Sequence, residues 1–141
     1  QMKIAADESI RKQSDPLQVA VAGAADIAVL KVQPLGGIKR SLAIASESGL
    51  ESVVSSALES SIGISHGLHL AASLPNLDYD CGLGTASLMA KDICRNPLIA
   101  VNGYLELDEP DVDAGLVSEL AVESERKIWW QQRLDRCLKL L

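Results

Sequence analysis

One lysine interrupts an apolar run at Ala28-Val29-Leu30-Lys31-Val32. A buried ammonium is costly unless an anion meets it. Lys31 therefore either snorkels to solvent from a strand end or is held there for chemistry. Asp7-Glu8-Ser9 follow a short apolar stretch in the same way. A carboxylate at a strand tip suits a hard, oxygen-seeking cation such as Mg²⁺, although Asp7 read alone is first of all a turn or helix cap. Ser55-Ser56-Ala57-Leu58-Glu59 brings hydroxyls and a second acid. Glu59 alone reads as a hydrogen-bonding residue opening a helix, with a rim carboxylate as the other reading. Gly82-Leu83-Gly84 lacks the full dinucleotide fingerprint and reads instead as a place where backbone approaches a ligand closely. His66 and His69 lie three apart without the glutamate of a zinc-protease motif, so they read as surface or packing histidines. Ser55 and Ser56 have no histidine on the same rim, which argues against a Ser-His-Asp hydrolase.

The elements that must position these groups alternate. Lys3–Ala6 is a short strand, and Ser14 or Asp15 caps a helix with Pro16 just inside it. Asp26 opens a strand over Ile27–Val32 that carries Lys31, and Gly36-Gly37 turns into a helix from Ile38 to Ser48, closed by Gly49. Ser52–Ser55 is the third strand, followed by a helix from Glu59 to Ser73 that Pro75 stops. Asp80–Thr85 is a fourth short strand, with helical turns from Ala86 to Ile93. Strand–helix alternation implies a parallel sheet covered by helices. Four such units make the second half of a (β/α)₈ barrel, which as a whole takes ~250 residues. In that fold chemistry sits at the C-terminal ends of the strands, and there Asp7, Lys31, Ser55 and Gly82 would share one rim.

The tail differs. Asn102-Gly103, between Leu98–Val101 and Tyr104–Leu107, is a strong hairpin signal. Ala121–Leu141 reads as a charged helix whose Trp129-Trp130 pair is expected to pack on a neighbouring element. The reading divides the chain into a half barrel over 1–97 and a hairpin plus C-terminal helix over 98–141.

Composition narrows the function. Hydrophobic residues are 48%, but aromatics only 3% with no Phe, so the core must be aliphatic. The net charge of −6 and the absence of a basic patch argue against nucleic acid and against an anionic membrane surface. No apolar run reaches the ~18 residues of a membrane span. Cys81, Cys94 and Cys137 form neither a disulfide framework nor a zinc pattern, and read as reduced packing residues of a cytoplasmic protein. The chain starts at Gln1 and enters a strand within a few residues, from which a piece of a longer protein is expected.

Ala6-Asp7-Glu8-Ser9, Val29-Leu30-Lys31-Val32, Gly36-Gly37-Ile38, Ser55 to Gly63 and Cys81 to Thr85, in this order over residues 3–107, together resemble the enolase superfamily in its muconate-cycloisomerase-like subgroup. Within it they are most similar to the o-succinylbenzoate synthase family. The related racemases tend to have Gly-Gly-Met before the glutamate, where this chain has Ser-Ser-Ala-Leu.

The resemblance implies a lyase. It would eliminate water from a cyclohexadiene carboxylate to give 2-succinylbenzoate in menaquinone biosynthesis, through a Mg²⁺-stabilised enediolate. Asp7 would be the third of three Mg²⁺ carboxylates. Lys31 would be the second lysine, facing a small-molecule carboxylate substrate. Ser55 and Gly82 would contact that substrate. The family's other two metal carboxylates, its general-base Lys-x-Lys strand and most of its capping domain have no counterpart among these residues, so the chain alone is expected to be inactive. Its two open sheet edges predict self-association. The alternatives are a racemase, epimerase or cycloisomerase of the same superfamily, or a non-catalytic half barrel.

Overall fold

The computed structural model describes residues 2–12 and 14–140. Three strands, β1 (Ala5–Ala6), β2 (Ile27–Leu30) and β3 (Glu51–Val54), pair in parallel in the order β1-β2-β3. The register sets Ala6 beside Ala28, and Leu30 beside Val54. Consecutive parallel neighbours require a crossover each time. Those crossovers are α1 (Asp15–Val21) and α3 (Ile38–Ser48), with α4 (Ser61–Ser73) following β3. This is a segment of an α/β barrel. Its fourth unit is present but short: one parallel bridge, Ser55 to Gly82, stands for the strand, and a 3₁₀ turn at Thr85–Leu88 stands for the helix.

Every residue of β2 is buried, as a strand covered on both faces must be. β3 alternates, with Ser52 and Val54 buried. The core joins Ile10, Ala28, Leu30, Val32, Leu35, Ile44, Val54, Leu70 and Leu83 without an aromatic residue. Close approach replaces bulk: a Cβ at Gly67 of α4 would lie 2.6 Å from Leu83 Cδ2.

Several boundaries differ from the sequence reading. The second strand ends at Leu30, and Val32–Leu35 is a helical turn, α2. Lys31 is therefore the residue between strand and turn. Gly36 (φ 89°) and Gly37 (φ 109°) close that turn, a pair of left-handed positions that only glycine adopts readily. α4 starts at Ser61, not Glu59, because Asp92 caps it: its Oδ2 accepts from Ser61 N at 2.8 Å and Ser61 Oγ at 2.9 Å. The Asn102-Gly103 turn forms as read, with Val101 and Tyr104 exchanging both backbone hydrogen bonds and both central residues at positive φ.

An unforeseen helix, α5 (Ala114–Glu119), is capped by Asp113, whose Oδ1 accepts from Leu116 N. α6 runs over Ser124–Leu138, shorter than the expected Ala121–Leu141, of which Leu141 lies outside the described residues. α6 has no buried residue. Trp129 and Trp130 pack edge-to-face on each other at 4.7 Å, with Arg126 and Arg133 over the Trp129 ring, and both stay exposed rather than buried on a neighbouring element as expected. Cys94 is buried and Cys81 half-buried, but Cys137 is exposed and is no packing residue. No described helix is long and apolar enough to cross a membrane.

Candidate active site

Parallel strands in consecutive order bring their C-terminal ends to one edge, and the chain places there the residues singled out from its sequence. Asp7 follows β1, Lys31 follows β2, Ser55 follows β3, and Gly82 is the bridge partner of Ser55. Lys31 does not snorkel, being only 8% exposed. Its Nζ donates to Asp7 Oδ1 across the sheet. Asp7 is thus not a side-chain cap. Its turn is closed through its carbonyl, which accepts from Ile10 N at 2.8 Å, leaving the carboxylate free for the lysine.

Ser55 and Gly82 meet in a small hydroxyl cluster. Ser55 N donates to Leu30 O, and Gly82 N to Val54 O, both at 2.9 Å, which extends the sheet to the fourth position. The Gly82 carbonyl accepts from Ser56 N (3.0 Å), Ser56 Oγ (3.0 Å) and Ser55 Oγ (3.2 Å), and Thr85 Oγ1 donates to Ser56 Oγ at 2.8 Å. A Cβ at position 82 would fall 2.9 Å from Ser55 Oγ. Glycine there keeps the Ser55 hydroxyl uncovered.

Glu59 is the rim residue that sequence reasoning undervalued. It does not cap α4, since Asp92 does so. Its Oε1 is buried without a hydrogen-bond partner. Burial pushes its carboxyl above the usual range, while the Ala57 amide, His66 and Lys31 pull the other way. Asp92, which supports the same loop, behaves oppositely. Burial would raise it, but hydrogen bonds from Ser61 and Cys94 hold it below the usual range. The signal for Asp92 lies 31 residues from the helix it caps and has no local pattern. His69 Nδ1 donates to Ser65 O at 2.8 Å within α4, and His66 is exposed on the same helix.

Among the described residues no group of three His, Cys, Asp or Glu converges. Asp7 therefore offers one carboxylate at this edge, and a divalent ion held there would need further oxygen donors from other residues. A cleft of about 310 Å³ lies elsewhere, beside the start of β3, where Lys3 and Tyr79 both donate to Glu51.

Comparison with known proteins agrees with this geometry. Residues 1–123 match the family described as Enolase C-terminal domain-like. The chain is 50% identical over 131 residues to the o-succinylbenzoate synthase of Thermobifida fusca, covering 93% of this chain and 40% of that protein. It is 49% identical over 138 residues to that of Mycobacterium leprae, covering 98% and 41%. It spans about two-fifths of the length of these curated relatives. Among solved structures it superimposes on muconate lactonizing enzyme from Pseudomonas putida with a TM-score of 0.74 at 27% identity, covering 85% of this chain and 36% of that one. A probable mandelate racemase from Alicyclobacillus acidocaldarius gives 0.73 at 28% identity, covering 87% and 34%. The strand-end residues, the consecutive parallel order and the matched span have one reading: the chain belongs to the Enolase C-terminal domain-like family.

Proposed function

We propose that this chain acts as the C-terminal portion of an o-succinylbenzoate synthase, a lyase that removes water from a cyclohexadiene carboxylate. The carrying observation is the Lys31–Asp7 pair at adjacent strand ends, in a chain about 50% identical to such synthases. The C–H bond next to the substrate carboxylate breaks when a base takes the proton, and the electron pair moves into an enediolate. Its collapse expels the hydroxyl group, which leaves as water with a proton returned to it. The base would come from residues outside this chain.

Lys31 would hold its ammonium against the developing enediolate, where a preorganised charge in a dry site is worth far more than in water. Ser55 and Gly82 would present a hydroxyl and a side-chain-free edge to the substrate. Asp7 would contribute one carboxylate to a shared Mg²⁺ site. That ion, when bound, would neutralise charge on the substrate carboxylate. Residues 98–141 would return to a capping domain, which would explain why α6 leaves Ile128, Trp130, Leu134 and Leu138 exposed. The protein would work in the cytoplasm, in menaquinone biosynthesis, and isolated half barrels would self-associate through their sheet edges.

Likeness to muconate lactonizing enzyme supports a second reading, a cycloisomerase or racemase of the same family. The much higher identity to the synthases ranks it second. The test is turnover of the cyclohexadiene carboxylate with Mg²⁺, by this chain alone and by the chain joined to the N-terminal part that its relatives possess. Activity only in the joined protein is expected. Conversion of muconate instead would replace the first reading with the second.

A further inference from the structure

Glu59 combines two unfavourable features that the proposed reaction leaves unused. It follows Leu58, an exposed leucine held at φ 56° in the left-handed region, where a branched side chain is strained. Leu58 gains nothing from this, being 65% exposed. The turn aims the next residue inward. There Glu59 Oε1 is buried with no hydrogen-bond partner. The stem of Glu59 lies against α4 and the α2 turn: a Cβ at Gly63 would fall 2.5 Å from Glu59 Cβ and 3.1 Å from Gln33 Nε2. Glu59 is thus wedged beside the turn that starts at Lys31. Buried polar groups are nearly always paired, and a strained residue next to an unpaired acid marks an arrangement kept for function.

Lys31, at the start of that turn, is the buried cation whose charge bears on Glu59. Its side chain is 9% exposed and its contact, Asp7, is 37% exposed. Solvent and competing cations can therefore reach the anion while the ammonium stays enclosed. A buried charge stripped of its counter-ion is strongly unfavourable. Glu59 is a carboxylate whose field Lys31 already reaches, together with His66.

We propose that Glu59 is a positioning residue for Lys31, its free Oε1 being the second anion that receives the ammonium whenever Asp7 is engaged elsewhere. Two carboxylates then confine Nζ between the end of β2 and the loop before α4, charged and out of solvent. This deepens the proposed function, since Lys31 is the group that would face the substrate. It needs neither substrate nor turnover, so its test stands apart.

The experiment uses the chain joined to its N-terminal part, with metal removed. A crystal structure of Asp7→Asn is expected to show Lys31 Nζ within hydrogen-bond distance of Glu59 Oε1. Nζ turned to solvent, or still on the side chain at position 7, would overturn the proposal. In thermal melts, Asp7→Asn/Glu59→Gln should lower Tm by more than the two single drops together, because either carboxylate suffices alone. Additive drops would also overturn it. Should the double variant not fold, Lys31→Met is added to it. Restored folding identifies the orphaned ammonium as the cause, and no restoration refutes the proposal. Absence of turnover by the unmutated joined protein with Mg²⁺, with the Nζ shift intact, would count against the synthase reading only.

Discussion

Lys31 Nζ donates to Asp7 Oδ1 from the end of one parallel strand to the end of its neighbour, although 24 residues separate them in the chain. With Ala6 beside Ala28, Asp7 stands level with Val29, two residues short of Lys31, and the long lysine side chain spans that offset along the rim. Lys31→Ala in the joined protein should lower kcat by about 10²–10³-fold, the usual effect of removing one preorganised group from a developing oxyanion. Stability should change modestly, since Asp7 is left partly in water. Steady-state kinetics beside a thermal melt would check this, and unchanged turnover would return Lys31 to a structural role.

Asp7→Asn should weaken Mg²⁺ binding by the joined protein, because the proposed shared site would lose one hard carboxylate oxygen. Activity measured over a Mg²⁺ titration would show the apparent requirement rising. An identical curve would mean that Asp7 serves only Lys31.

Acid should loosen the loop before α4 through Asp92. Its carboxyl is held below the usual range in the folded chain, so it adds stability that is complete above the ordinary value near 3.8. That stability is lost as pH falls through the lower folded value. Asp92→Asn should cost about 1–2 kcal/mol at pH 7, as for loss of a helix cap, and the difference should shrink toward strongly acid pH. Urea melts at several pH values would reveal it.

Glu59 has the opposite sign. Its folded value lies above 4.5, so the folded chain holds that proton more tightly than the unfolded one. Stability from this group is present below the ordinary value and lost as pH rises through the folded value. Glu59→Gln should flatten the fall in stability over that window while Asp7 still serves Lys31. A wild-type slope in the variant would contradict it.

Thiol reagents should separate the cysteines by burial. Cys94 is buried, and burial together with Asp92 pushes its thiol up to about 11, whereas Cys137 is exposed on α6. Thiolate is the reactive form. At pH 8 Cys137 should be alkylated rapidly and Cys94 only on unfolding, as mass spectrometry of modified peptides would show.

Much of this is legible in the amino-acid sequence. The alternation of apolar runs with capped helical stretches implied a parallel sheet, and Asp7, Lys31, Ser55 and Gly82 were recognisable as strand-end residues. Local chemistry sufficed at Gly36-Gly37, at Gly49 and at Asn102-Gly103, where positive φ selects the residue. It did not suffice at Glu59 and Asp92. Both are acids near the start of α4, and helix-cap rules favour the one adjacent in sequence. The distant one won because the chain returns at 92 with its carboxylate facing Ser61.

The amino-acid sequence by itself determined the order of elements, the aliphatic core and which residue types stand at the strand ends, because period, turn chemistry and capping are written in neighbouring residues. Only the tertiary structure decided that Lys31 is enclosed and answers to Asp7, that Asp92 displaces Glu59 as a cap, and that Glu59 keeps an unpaired oxygen beside them. Burial and pairing depend on groups brought together from distant parts of the chain, and no local pattern carries that distance.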